Sequence, residues 1–74
     1  MYKVDVTEFR QIESEAGFPV EVDDETKAWE LFHQTVAGLY SGQSGQGSYS
    51  VIFYVVGTGG EVPLRSELVN VPRI

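Results

Sequence analysis

Cysteine is absent from this chain of 74 residues, histidine occurs once, and lysine and arginine together number five. Each scarcity removes a class of protein. Without cysteine there is neither a disulfide framework nor a thiolate zinc site to reinforce a small core. One histidine offers little material for a metal centre or a nucleophile–base pair. Five bases against eleven acids leave a formal charge of −6. A negative field repels phosphates, so direct nucleic-acid binding is disfavoured. No apolar run approaches the roughly 18 residues that cross a bilayer. The segment "MYKVDVTEF" alternates apolar with charged residues, unlike the continuous apolar stretch of a signal peptide. The expectation is a cytoplasmic protein with no membrane contact and no cofactor or metal.

What is present suits one small domain over residues 1–74, near the lower size limit for independent folding. Four Phe, four Tyr and one Trp supply bulky core material. In "YKVDV", Tyr2, Val4 and Val6 fall on one face and Lys3 and Asp5 on the other, the period of a half-buried strand. Phe9 and Ile12 break that phase, which places a bulge or strand end near Thr7–Phe9. "SEAG" reads as a turn, and "FPVEV" resumes the alternation with Phe18, Val20 and Val22 inward and Glu21 outward. These segments make a hairpin over 2–22.

A helix is expected over 24–41. Asp23 or Asp24 is placed to cap its free amides, and Glu25 sits where the helix dipole favours acid. Ala28, Leu31, Phe32, Thr35, Val36 and Leu39 form its apolar stripe, with Trp29 and Tyr40 at the margin. Thr26, Lys27, Glu30, His33, Gln34 and Ala37 face solvent. Gly42 suits a left-handed cap. After a flexible loop at 42–48, "YSVIFYVV" is apolar on both faces and reads as a central strand. "GTGG" turns the chain into "EVPLRSELVNV", a hairpin spanning 49–71. Pro63 cannot donate to a ladder, so that last strand lies at an edge or contains a break. The fold class is α+β: ββαββ, a four-stranded antiparallel sheet with one amphipathic helix on one face.

Three candidate chemistries can be weighed. Gly42, Gly45 and Gly47 lie in "SGQSGQG", but a phosphate loop leads from a strand into a helix and carries a basic residue. This one leaves a helix and contains only Ser, Gly and Gln, the composition of a connector. Glu30 and His33 form a single Glu-x-x-His, whereas di-iron bundles need two copies and further carboxylates. Asp23, Asp24 and Glu25 lack the alternating acids and central glycine of a calcium loop. Catalysis is not expected.

Charge and the second sheet face are more informative. Residues 1–30 hold nine acids against three bases, so all of the net charge lies there. Solubility alone can account for it, as can attraction to a basic partner. One helix covers one side of the sheet, which turns Ile52, Tyr54 and Val56 the other way, beside Asp5, Glu21 and Arg65. An apolar strip flanked by acids has the composition of an interface. The competing expectation is that Phe9, Ile12 or "LVNVPRI" folds over it.

The ββαββ order, the acidity and the pairing of "YKVDVTE" with "VEVDDETKAWELF" resemble small proteins encoded by phages and mobile elements, among them anti-CRISPR proteins and inhibitors of host enzymes. That resemblance implies a non-enzymatic inhibitor in the host cytoplasm. It would dock on a basic nucleic-acid-binding surface of a larger protein or ribonucleoprotein, with carboxylates standing in for phosphates. On that reading Glu13, Glu15, Glu21, Asp23, Asp24, Glu25 and Glu30 meet the partner's bases, and Trp29, Ile52 or Tyr54 provides the apolar anchor. The alternatives are a homodimer or subunit that assembles through the bare sheet face, and a small enzyme or ligand carrier with a pocket beneath the helix.

Overall fold

In a computed structural model that describes residues 1–42 and 45–72, the elements follow the order β1 (Tyr2–Glu8), β2 (Val20–Val22), α1 (Glu25–Tyr40), β3 (Gly47–Gly57) and β4 (Gly60–Val71). The four strands form one antiparallel sheet in the order β2-β1-β3-β4 with the helix packed on it, an α+β fold. The β3–β4 hairpin is its longest part and accounts for the molecule's 43 Å long axis.

The helix forms where its periodicity places it. Asp24 is the N-cap and accepts hydrogen bonds from the amides of Thr26 (2.8 Å) and Lys27 (3.3 Å). At the other end Gly42 adopts φ +88° and donates to the Leu39 carbonyl. A left-handed residue closes the helix there without a Cβ penalty. Ala28, Phe32 and Leu39 are buried, Leu31 and Val36 are half-buried, and the six residues assigned to solvent are all exposed.

Register decides which side of each strand the helix covers. Tyr2, Val4 and Val6 pair with Val55, Phe53 and Val51, so all of them share one face. That face holds the core: Val4, Val6, Tyr49, Val51, Phe53 and Val69 beneath Ala28, Phe32 and Leu39. Phe53 is the hub. Trp29 stacks flat on it at 4.2 Å between centroids, and Phe32 meets it edge-on at 6.1 Å. Complete burial of an aromatic side chain stabilises by about 2 kcal/mol.

Several boundaries differ from the expectation. β2 is only three residues long, and the chain before it passes through a cis Phe18–Pro19 peptide. The Gly-rich loop is shorter than 42–48, because Gly47 and Ser48 already pair with Val71 and Asn70. Residues 43 and 44 of that loop lie outside the described residues. β4 is an edge strand and it is also broken. Phe53 faces Arg65 while Tyr54 faces Pro63, which leaves Leu64 without an opposite.

Tyr49 belongs to the core yet keeps a polar tip. Its hydroxyl donates to the Gly45 carbonyl at 3.3 Å. Burial, and then the nearby Glu15 and Glu8 carboxylates, push its phenol above the ordinary tyrosine range. A raised folded-state value means that the neutral phenol stabilises the fold at neutral pH. That stability declines as pH climbs from about 10, the unfolded value. Tyr49→Phe is expected to cost about 1 kcal/mol at pH 7 through the lost hydrogen bond, and to move alkaline unfolding to higher pH. Circular dichroism melts between neutral and strongly alkaline pH check both. An unchanged alkaline midpoint would mean that another group governs it.

Candidate functional site

The side of the sheet away from the helix is formed by residues of the opposite phase. Lys3, Asp5 and Thr7 come from β1, Glu21 from β2, and Ser50, Ile52, Tyr54 and Val56 from β3. Glu61, Pro63, Ser66 and Leu68 come from β4. Ile52, Tyr54 and Val56 are half-buried by their neighbours, and Leu68 is exposed. None of the segments expected to cover this face does so among the described residues. Phe9 and Ile12 are exposed, and residues 68–71 of "LVNVPRI" are part of β4 itself. Arg65 was expected here as well. Leu64, the unpaired residue at the break, shifts the alternation and turns Arg65 to the helix side, opposite Phe53. A register slip of one residue reverses every side chain beyond it.

Charge on this face is held tightly. The Lys3 ammonium forms an ion pair with Glu61 and lies 4.6 Å from the centre of the Tyr54 ring. The Glu61 hydrogen bond, aided by Asp5 and Tyr54, raises its pKa against a smaller opposing effect of burial. It therefore stays cationic across the physiological range. Asp5 is less well provided for. It lies opposite Ile52, and β2 is too short to reach beside it, since β2 pairs only with residues 2–4. Its Oδ1 is shielded from water and has no hydrogen-bond partner.

The expected acidic residues do not form one patch. Glu21, Asp23, Asp24 and Glu25 sit where β2 meets the helix, at the Tyr2 end of β1. Asp24 is engaged in capping, and Glu25 accepts a hydrogen bond from the Tyr2 hydroxyl at 3.0 Å. That bond, with burial and the Glu25 and Asp24 charges, raises the Tyr2 phenol pKa. Glu13 and Glu15 belong to the other end of β1, where Ser14 bridges Thr7 and the Glu15 amide donates to the Val6 carbonyl. Four residues of strand, about 13 Å, separate the two groups. Glu30 is exposed on the helix. Trp29, expected as an anchor for a partner, lies on the opposite side of the sheet from Ile52 and Tyr54. It stacks there on Phe53, with His33 parallel to it at 6.0 Å.

The other candidates have little geometry behind them. Gly42 follows the C-terminus of α1, where carbonyls rather than amides are free, so this end does not attract an anion. No group of three or more His, Cys, Asp or Glu among the described residues could hold a metal. Among the described residues no helix is long and apolar enough to cross a membrane. An open cleft of about 370 Å³ lies between α1 and residues 15–18, lined by Val6, Ala16, Phe18, Thr35 and Leu39. Glu15 and Gln34 are its polar members, and they assemble no nucleophile with a base.

Compared with known proteins, the chain matches no family model, no curated protein and no solved structure.

Asp5 gives the open face a measurable signature. A shielded oxygen without a partner costs about 1–3 kcal/mol, so Asp5→Thr, which keeps strand propensity, is expected to raise stability by about 1 kcal/mol. For a domain of this size that is a rise in Tm of about 4–8 °C. Calorimetry at pH 7 tests it, and an unchanged or lower Tm would show that the carboxylate is satisfied in solution.

Proposed function

We propose that this chain is a non-catalytic binding protein whose uncovered sheet face docks on a basic surface of a larger protein or ribonucleoprotein. It acts there as an inhibitor in the manner of anti-CRISPR proteins, occupying ground that otherwise takes nucleic acid. The observation that carries this reading is the half-exposed strip of Ile52, Tyr54 and Val56, away from the helix, with Asp5 beside Ile52 and Glu21 one strand further out, beyond Lys3. Interfaces of this kind combine a desolvated apolar or aromatic centre with a charged rim. The tyrosine ring is the natural anchor, since it brings area at low entropic cost and a hydroxyl that can be satisfied at the edge.

The rim acids act mainly on encounter. A negative border steers the protein toward a positive surface and makes association sensitive to salt. Glu21 and Asp23 are best placed for that role, because Asp24 and Glu25 already serve the helix cap and Tyr2. Glu13 and Glu15 can contribute only to a contact that extends along the whole of β1. Trp29 has no part in it. A second copy stacked on the same face is a poorer occupant, since a two-fold contact brings the same patch together and opposes acid to acid.

The test is capture of a partner from a host lysate, followed by kinetics on the purified pair. Tyr54→Asp is expected to abolish binding. Glu21→Lys with Asp23→Lys is expected to slow association about tenfold at low salt while leaving dissociation nearly unchanged. Equal binding by the wild type and both variants, at any ionic strength, would rule out this face as the docking surface.

A further inference from the structure

The sheet has two edges, and they are treated differently. β2 is cut to three residues, which blunts its edge. β4 runs for twelve residues, and beyond the break at Pro63 and Leu64 it is regular from Arg65 to Val71. Three hydrogen bonds fix which of its backbone groups face outward. The Val56 amide donates to Met1, the Ser48 carbonyl accepts from Phe9, and the Val6 carbonyl accepts from Glu15. Even-numbered residues of β3 therefore address β1, and odd-numbered ones address β4. Since Tyr49, Val51 and Phe53 pair with Val69, Glu67 and Arg65, these three β4 residues turn their backbone groups inward. The N–H and C=O of Ser66, Leu68 and Asn70 point away from the sheet.

The sequence along this edge is self-complementary. "LRSEL" at 64–68 reads the same in both directions once charge is inverted. We propose that two copies of the chain pair antiparallel along β4, with a two-fold axis through Ser66. Arg65 then lies opposite Glu67 of the partner subunit, twice by symmetry, on the helix side of the sheet. Leu64 and Leu68, each 51 % exposed, meet across the junction. The outward backbone groups of the two Ser66 residues bond to one another. Opposite charges and apolar pairs directly across a ladder are the stabilising units of a sheet, and an isologous contact of this type closes on itself. Moving the axis to Leu68 sets Arg65 against Val71 and Glu67 against Val69, which forfeits the charge match.

Long-range repulsion is least at this edge. All of the net charge lies within residues 1–30, in β1, β2, the segments that follow each of them and the first part of the helix. β2 is the edge farthest from β4. Of the charges on β4, Glu61 is taken up by Lys3, which leaves the balanced pair Arg65 and Glu67. The result is one eight-stranded sheet with both helices on the same side and two open faces side by side. This pairing does not rest on the docking reading.

Sedimentation over a concentration series tests it on the chain alone. The wild type is expected to show a reversible monomer–dimer equilibrium. Arg65→Glu sets like charges opposite and should weaken dimerisation about tenfold or more. Adding Glu67→Arg to that variant restores the match and should return the constant to within about threefold of the wild type. Leu68→Pro removes an outward-facing N–H and the leucine side chain at the junction, at a position where an edge strand accepts proline. It should leave the circular dichroism spectrum intact and the dimer lost. A wild type that sediments as a monomer at every concentration overturns the pairing. So does a dimer indifferent to Leu68→Pro, or one that the double charge exchange fails to recover from Arg65→Glu. Tyr54→Asp is expected to dimerise like the wild type, so loss of docking and loss of pairing are told apart.

Discussion

The stack of Trp29 on Phe53 is the contact from which the rest of the molecule follows. Phe53 lies on the central hairpin, is fully buried, and also touches Tyr2 and Phe32 with its ring. By seating the helix over this residue, the stack selects the odd-numbered phase of β3 as the inside. Strand geometry then leaves no freedom. Ile52, Tyr54 and Val56 must face the other way, and their partners on β1 and β4 must join them. A helix of sixteen residues, about 24 Å long, has no second face to offer them.

The two faces therefore obey different rules. On the helix side local preference and tertiary demand agree: apolar residues recur at helical and strand spacing and fill the core, and its polar tip, the Tyr49 hydroxyl, has the Gly45 carbonyl to donate to. On the open side they conflict. An aromatic and two β-branched residues lie next to Asp5, whose inner oxygen lacks a partner, and Lys3 is shared among a carboxylate, a ring and a second acid. Natural chains depart from consistency of this kind chiefly at sites where something other than folding is being served. That contrast, together with the apolar strip, is what supports the docking role proposed for this face.

How far the sequence could be read depends on whether a feature is local. The helix was legible almost to the residue, because Asp24, the 3.6-residue stripe and Gly42 all act within one turn of where they stand. β1, β3 and the weakness at Pro63 were legible for the same reason. Strand order was not, since nothing short-range distinguishes β2-β1-β3-β4 from its alternatives. Without it, which acids share a surface was not legible either: the hairpin carries Glu13 and Glu15 to one end of β1 and Glu21 to Glu25 to the other. Trp29 was placed at the margin of the helical stripe, which is where it lies. Only the sheet beneath it shows that its ring is spent on Phe53. Arg65 was misplaced because proline announces an interruption without saying on which side of it the extra residue falls.

Small size alone forces exposure, so exposure alone says little. A chain of this length buries only about three-fifths of the surface its unfolded form presents, and one helix on four strands is bound to leave a face and two edges. What size does not require is the asymmetry between them. The β2 edge is shortened and set among the acids, while the β4 edge keeps seven regular residues, balanced charge and half-exposed leucines. An edge that is merely tolerated is usually blunted, by charge, proline or brevity. Here proline interrupts β4 only on the tip side of Leu64 and spares the stretch from Arg65 onward. The distribution of charge follows the same division, with repulsion concentrated at one border of the sheet and nearly cancelled at the other. Bulk solubility would be served equally well by acids spread over the whole surface. Their confinement to one side is what a molecule needs if one border is to remain in water and the other is to meet a second chain.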